Sequence, residues 1–183
     1  CTGYVVFDTT QPPFDDVNVR KAFSMAFDRQ RYIDVVLRGQ ALPAIGPFPP
    51  GLPGFNYALE GLSYDPEQAR ELLKQSKYGG PEELPPIVYT DGGIGSYVNA
   101  DVAAMAEMWE QNLGITLKIE NIEYNFYYEQ IYSGNHGQIF GGGWCADYPD
   151  PENFADVLFH SRSNQNYGGY SNPELDALLE QAR

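Results

Sequence analysis

Strand patterns and helix patterns alternate along the chain, and this alternation limits the possible folds more than any single motif does. Short runs rich in β-branched and aromatic residues predict strands at residues 2–10, 84–91, 115–120 and 138–144. Apolar residues at helical spacing predict helices within residues 16–27, 28–37, 65–73, 98–113, 124–132, 150–158 and 172–182. No internal repeat occurs, so we predict one mixed α/β domain that spans residues 1–183.

Most predicted helices begin at a residue that can cap them, namely Asp15 or Asp16, Asp28, Asp65, Asp150 and Asn172. The second helix is expected to bury Ile33, Val36 and Leu37 and to end at Gly39. Residues 40–64 are dense in proline and glycine but also carry Phe48, Phe55 and Tyr57. We expect this stretch to be irregular and packed on the surface, or wrapped around another part of a larger protein.

The charge balance excludes two classes of partner. The chain has 25 acidic and 11 basic side chains, which gives a formal net charge of −14. Such a surface repels phosphate backbones and anionic lipid headgroups, so we expect neither nucleic acid nor a membrane surface as the main partner. The chain opens directly into a strand pattern and its last helical pattern has no stop signal. We therefore expect a segment of a longer protein.

Several motifs lack the residues that their chemistry needs. The glycines at 92, 93 and 95 suggest a phosphate loop, but Val98 occupies the third glycine position of that fingerprint and no lysine follows. Cys1, Cys145, His136 and His160 show no zinc spacing, and no nucleophile motif lies near either histidine. We therefore expect no metal, no cofactor and no nucleophilic enzyme. From the residues alone, a disulfide and two unrelated thiols remain open for the cysteines.

The segment from residue 141 to residue 154 is different. Three glycines precede Trp144, and backbone without side chains over it allows an extended chain or ligand to approach closely. Asp147 follows, where a carboxylate could meet a ligand cation or could simply bond nearby turn amides. Asp150 is expected mainly as a helix cap, and a glycosidase pair drawn from Asp147, Asp150 and Glu152 stays open.

At this point the chain resembles a known family. The matching stretches, in family order, are PPFDDVNVR at 12–20, AFDR at 26–29, YDP at 64–66 with LL at 72–73, MW at 108–109, NLGI at 112–115, GWCADY at 143–148 with Phe154, and YSNP at 170–173. They resemble the family 5 extracytoplasmic solute-binding proteins of ABC transporters, which bind oligopeptides or dipeptides. The resemblance implies a periplasmic-binding-protein type II fold, with this chain as the large C-terminal lobe of a two-lobed receptor.

The resemblance also implies roles for individual residues. It pairs Cys1 with Cys145 in a disulfide, and it places Asp147 where the family binds a peptide α-ammonium group. The strand from Gly141 through Gly143 to Cys145 would then pair with the peptide main chain, beside Trp144 and Tyr148. The family's arginine or histidine before this strand is replaced here by Tyr132, Ser133 and Gly141, which leaves Arg38 as the substitute candidate for holding a peptide carboxylate.

The resemblance implies a function outside the cytoplasm, in the periplasm or on the outer face of the membrane, with lipid anchoring of the full-length protein left open. The expected function is non-enzymatic capture of peptides for an ABC permease. The alternatives are an oligosaccharide receptor of the same family, in which tyrosine and tryptophan would stack on sugar rings, and a carboxylate-based hydrolase.

Overall fold

A computed structural model describes residues 1–93 and 97–183, and the glycine-rich turn predicted at 92–95 lies partly outside these ranges. The strands are β1 (Thr2–Phe7), β2 (Val88–Gly93), β3 (Lys118–Glu123) and β4 (Ile139–Trp144). The α-helices are α1 (Val17–Met25), α2 (Arg29–Val35), α3 (Pro66–Gln75), α4 (Ala100–Leu113), α5 (Tyr124–Tyr132), α6 (Glu152–Phe159) and α7 (Pro173–Ala182), and a short 3₁₀ helix spans Pro81–Glu83. The predicted mixed α/β class is confirmed.

The four strands form one sheet in the order β1-β4-β2-β3. Strand β2 is parallel to both β3 and β4, whereas β1 is antiparallel to β4. Helix α4 connects β2 to β3, and helix α5 connects β3 to β4. The carboxyl ends of the three parallel strands therefore meet at one edge of the sheet, which is the usual place for a ligand in such folds.

Helices cover both faces of the sheet. On one face, α1, α3 and α4 pack with the sheet into the main core, in which Phe23, Leu73 and Trp109 surround Tyr89 and Ile139. On the other face, Tyr127 and Ile131 of α5 pack against Phe140. Because strand side chains alternate between faces, the neighbours Ile139 and Phe140 anchor β4 in both cores. Burial on both faces holds β4 in place up to the point where its glycines begin.

The predicted caps hold four helix starts. The side chains of Asp16, Asp28 and Asp65 accept hydrogen bonds from backbone N–H groups in the first turns of α1, α2 and α3. Asn172 accepts two such bonds at the start of α7. These side chains satisfy N–H groups that have no partner within the helix, which is why the sequence signal was reliable.

Some element boundaries differ from the expectation. Helix α2 ends at Val35, and Leu37 is exposed instead of buried, because Arg38 and then Gly39 both adopt positive φ angles of 53° and 74°. The third strand begins at Lys118 rather than at residue 115. Ile115 is buried as the period-two pattern predicts, but it lies in the main core before ladder pairing with β2 begins.

Residues 40–64 contain no helix or strand, as predicted. Part of the segment packs on α6, since the rings of Phe48 and Phe154 lie 6.2 Å apart in an edge arrangement and Leu52 is buried. Other parts stay open to solvent, including Leu42 and Tyr57. None of the helices in the described ranges has both the length and the apolar character needed to cross a membrane.

Candidate ligand-binding site

The candidate site is built around an unpaired edge of β4. Tyr89 and Thr90 of β2 pair with Ile139 and Phe140, but the next residues of β4 pair only with β1. Within residues 1–93 and 97–183, no strand pairs with the other edge of residues 141–144. Unpaired backbone donors and acceptors at a sheet edge can bind another extended chain.

The glycines differ in the space around them. A Cβ atom on Gly143 would have only backbone atoms within 4 Å, the nearest being the Thr2 carbonyl oxygen at 3.7 Å. A Cβ on Gly142 would lie 2.6 Å from a ring atom of Tyr4. The expectation that no side chain lies over the three glycines is therefore wrong at Gly142, because the β1–β4 register places Tyr4 directly opposite it.

Two buried phenols lie beside Gly141. The Tyr127 hydroxyl donates a hydrogen bond of 2.8 Å to the Gly141 carbonyl oxygen. The Tyr89 hydroxyl oxygen lies 3.3 Å from the position that a Cβ on Gly141 would take. Burial raises the pKa of both tyrosines well above the ordinary value, so both groups remain neutral hydrogen-bond donors. A side chain at Gly141 would therefore be in tight contact with the Tyr89 hydroxyl group.

A disulfide between Cys1 and Cys145 closes the end of the β1–β4 ladder. The register pairs Thr2 with Trp144, so the next residues outward are the two cysteines. The predicted disulfide is present in the structure. It fixes the end of the glycine strand two residues before Asp147.

Asp147 lies in an exposed turn and is held by one neighbour. Its backbone N–H donates to Asn153 Oδ1 over 2.9 Å, and Asn153 Nδ2 donates to Asp147 Oδ2 over 3.3 Å. In the described part of the chain, no hydrogen bond reaches Asp147 Oδ1. The turn interpretation therefore accounts for one carboxylate oxygen and leaves the other available to a ligand.

The other carboxylates of this segment are used locally. Asp150 Oδ1 accepts the backbone N–H of Glu152 at 2.9 Å, but Pro151 rather than Asp150 occupies the N-cap position of α6, so Asp150 lies one residue before the predicted place. The Glu152 carboxylate accepts a hydrogen bond from the Tyr148 hydroxyl, and this bond is the main reason that the pKa of Tyr148 is raised. These contacts engage one oxygen of each of the two carboxylates.

Positive charge is scarce near the site. Lys118 is the only lysine or arginine between residues 78 and 161, and it begins β3, at the end of that strand away from the candidate site. Arg38 is exposed beyond α2, and among the described residues no hydrogen bond or ion pair connects it to residues 141–148. The structure therefore does not bring Arg38 together with the other predicted site residues.

Exposed tyrosines on α5 form an aromatic strip. Tyr124, Tyr128 and Tyr132 follow each other at one helical turn, and the Tyr132 ring stacks on Tyr167 with centroids 5.1 Å apart. Burial and the neighbouring Tyr132 raise the pKa of Tyr167 to about 12. The strip offers flat apolar faces with neutral hydroxyl groups, which suit contact with a ligand that has both apolar and polar parts.

Sequence reasoning missed Asn153, Tyr127 and Tyr89, each of which contacts or adjoins a predicted site residue. Asn153 could have been found as a polar residue in the first turn of the helix predicted after Asp150 and Pro151. For the two tyrosines, the sequence pattern indicated only that they belong to the core. In the part of the chain that the structure describes, no group of three or more histidine, cysteine, aspartate or glutamate side chains could hold a metal ion.

Known proteins resemble this chain in sequence and in fold. Oligopeptide-binding protein OppA of Bacillus subtilis is 32% identical over 97% of this chain and 33% of its own length. Heme-binding protein A of Haemophilus influenzae is 30% identical over 98% of this chain and 33% of its own length. A solved structure of the periplasmic binding protein DppA from Helicobacter pylori in complex with the peptide STSA superposes with a TM-score of 0.87 at 29% identity, over 98% of this chain and 35% of that one.

The chain thus spans about a third of the length of these relatives. The family model for bacterial extracellular solute-binding proteins, family 5 middle, matches residues 1–166, which is most of the chain. The chain belongs to the family 5 bacterial extracellular solute-binding proteins.

Proposed function

We propose that residues 1–183 form one lobe of a two-lobed receptor that captures oligopeptides or dipeptides outside the cytoplasm and delivers them to an ABC permease. The observation that carries this proposal is the open edge of β4 followed by Asp147. The backbone groups of this edge can pair with the main chain of any peptide. One oxygen of the Asp147 carboxylate is available to the α-ammonium group of that peptide. A site that recognises the main chain and the terminal charge of a peptide can bind peptides with many different side chains.

In this proposal the predicted residues make different contacts with the ligand. Gly141, Gly143 and Cys145 present backbone, and Trp144 and Tyr148 border the ligand. The disulfide of Cys1 with Cys145 keeps this strand end in position. Because no hydrogen bond or ion pair among the described residues connects Arg38 to this strand, we place the peptide carboxylate against the rest of the full-length protein rather than against Arg38.

Capture without catalysis fits both the family and the chemistry of this site. The family binds solutes, and the carboxylates of Asp150 and Glu152 accept hydrogen bonds from the backbone at the start of α6 and from the Tyr148 hydroxyl. General acid–base catalysis would require a positioned carboxylate pair that is free to exchange protons with a substrate. Outside the cytoplasm, the receptor reaches the permease either from the periplasm or from a lipid anchor on the membrane.

A ligand screen of the full-length protein tests the proposed function. Thermal-shift and calorimetric titrations would compare di- to pentapeptides with oligosaccharides and haem, since a ligand that binds only the folded state raises the melting temperature by mass action. We expect peptides to stabilise the protein and the other classes to have no effect. Stabilisation by oligosaccharides or haem, with none by peptides, would contradict the proposal.

A further inference from the structure

Asn153 occupies an unusual place for an amide side chain. It lies in the first turn of α6, and only 3% of its surface is exposed. A buried amide is costly unless its donors and acceptor are used. Its surroundings therefore show which groups it holds in place.

The Asn153 amide connects the end of the glycine strand to the turn that carries Asp147. Its Oδ1 accepts both the Asp147 backbone N–H at 2.9 Å and the Trp144 indole N–H at 3.3 Å. Its Nδ2 donates to Asp147 Oδ2 at 3.3 Å. The reversed amide would place an NH₂ group against two N–H donors, so these contacts define its orientation.

We propose that Asn153 is the positioning residue for Asp147. This inference rests on the proposed function, in which Asp147 binds the α-ammonium group of a peptide. By holding Oδ2 and the backbone N–H of Asp147, Asn153 directs Oδ1 toward the ligand before the ligand arrives. An exposed aspartate in a turn would otherwise lose rotamer freedom on binding, and ordering the side chain in advance removes that cost.

No neighbour can take over this role. Asp150 is bonded to the start of α6, and Tyr148 is bonded to Glu152. Among the residues that the structure describes, Asn153 alone donates a hydrogen bond to the Asp147 carboxylate. Asn153 acts through Asp147 and does not itself need to contact the ligand.

The test compares the affinities of a free tripeptide and its N-acetylated form for the full-length protein. Wild type is expected to prefer the free amine, and Asn153→Ala is expected to reduce this preference about tenfold. In an Asp147→Asn background, Asn153→Ala should have no further effect on binding of the free peptide. Such non-additivity separates positioning through Asp147 from a general loss of stability.

Asn112→Ala provides the matched control. The Asn112 amide also anchors a distant segment, because its Nδ2 donates to the Ala26 carbonyl at 2.8 Å, but it lies on α4 near α1. This variant should lose stability and keep the preference for the free amine. The indole N–H resonances in NMR spectra of Asn153→Ala check the fold. The resonance of Trp109, which donates to the Phe23 carbonyl, should be unchanged, and that of Trp144 should shift.

The outcomes separate this inference from the proposed function. If wild type binds both peptides equally, the role proposed for Asp147 is wrong and the inference about Asn153 is wrong with it. If Asp147→Asn removes the preference and Asn153→Ala retains it in full, only the inference is overturned. Should Asn153→Ala yield too little folded protein, Asn153→Ser carries the same expectation, since its short hydroxyl cannot bridge Asp147 and Trp144.

Discussion

At the scale of single residues, the three glycines of β4 differ in their surroundings. Gly143 has open space beside it, Gly142 is matched to the Tyr4 ring, and Gly141 lies beside the hydroxyl groups of Tyr89 and Tyr127. A run of identical residues therefore combines two positions with close side-chain neighbours and one position with open space. Only the cross-strand partner shows which glycine is which, because the three are equivalent in the sequence.

Alanine substitutions should separate these glycines. Gly142→Ala places a methyl group against Tyr4 and is expected to lower the free energy of unfolding by about 1–2 kcal/mol. Gly143→Ala meets no side chain, and the loss of unfolded-state freedom should leave stability unchanged or raise it by about 0.5 kcal/mol. Urea unfolding of the two variants of the full-length protein measures the difference. Equal losses of stability would show that Tyr4 does not restrict Gly142.

At the scale of elements, the strand β4 takes its properties from its two neighbours. Strand β1 runs beside its whole length and is joined to its end by the disulfide of Cys1 with Cys145, whereas β2 pairs only with its first two residues. The two residues paired with β2 are buried in the two cores, and the four that follow are open on one edge. Helix α6 follows this strand and packs against α7, and its residue Asn153 holds the turn at Asp147.

The disulfide should contribute a large part of the stability of this lobe. It closes a loop of 144 residues, and loss of such a crosslink is expected to reduce the free energy of unfolding by about 2–5 kcal/mol. The measurement compares urea unfolding before and after reduction, with a Cys1→Ser, Cys145→Ser double variant as the second reduced form. Alkylation followed by intact-mass measurement should label neither cysteine before reduction. Two labelled cysteines in the unreduced protein would contradict the disulfide.

The packing of α7 should be sensitive to acid through Asp176. Hydrogen bonds from the Ser161 hydroxyl and backbone N–H lower the pKa of Asp176 below its ordinary 3.8. A lowered folded-state pKa stabilises the fold above the ordinary value, and this stability is lost as pH falls through the folded-state pKa. Asp176→Asn should therefore lose less stability than wild type between about pH 5 and pH 2.

Glu174→Gln is the control for this experiment, because its side chain forms no hydrogen bond or ion pair with any other described residue. Unfolding measured across the acid range should show the wild-type slope for Glu174→Gln and a shallower slope for Asp176→Asn. Identical slopes in all three proteins would mean that Ser161 does not hold Asp176 in its charged form.

At the scale of the whole molecule, local sequence patterns predicted the helices, strands and caps, whereas the pairing of the strands determines how they are arranged. Asp16 and Asp65 cap helices through neighbouring amides, so the sequence alone predicts them. The placement of β4 between β1 and β2 depends on contacts between distant residues, and neither the open edge nor Tyr4 over Gly142 can be derived from spacing. The role of Asn153 was not predicted, since it depends on contacts with Trp144 and Asp147 that form only in the folded chain.

The central claim is that Asp147 of the full-length receptor binds the α-ammonium group of a peptide. Calorimetry would measure the affinities of a free peptide and its N-acetylated form for wild type and for Asp147→Asn. In the ligand-bound receptor, removing either the ammonium or the carboxylate leaves its partner desolvated and unpaired. Each change alone should therefore cost about 2–5 kcal/mol of binding free energy, and acetylation should cost little in the variant. Full affinity of wild type for the acetylated peptide, or of Asp147→Asn for the free one, would contradict the account.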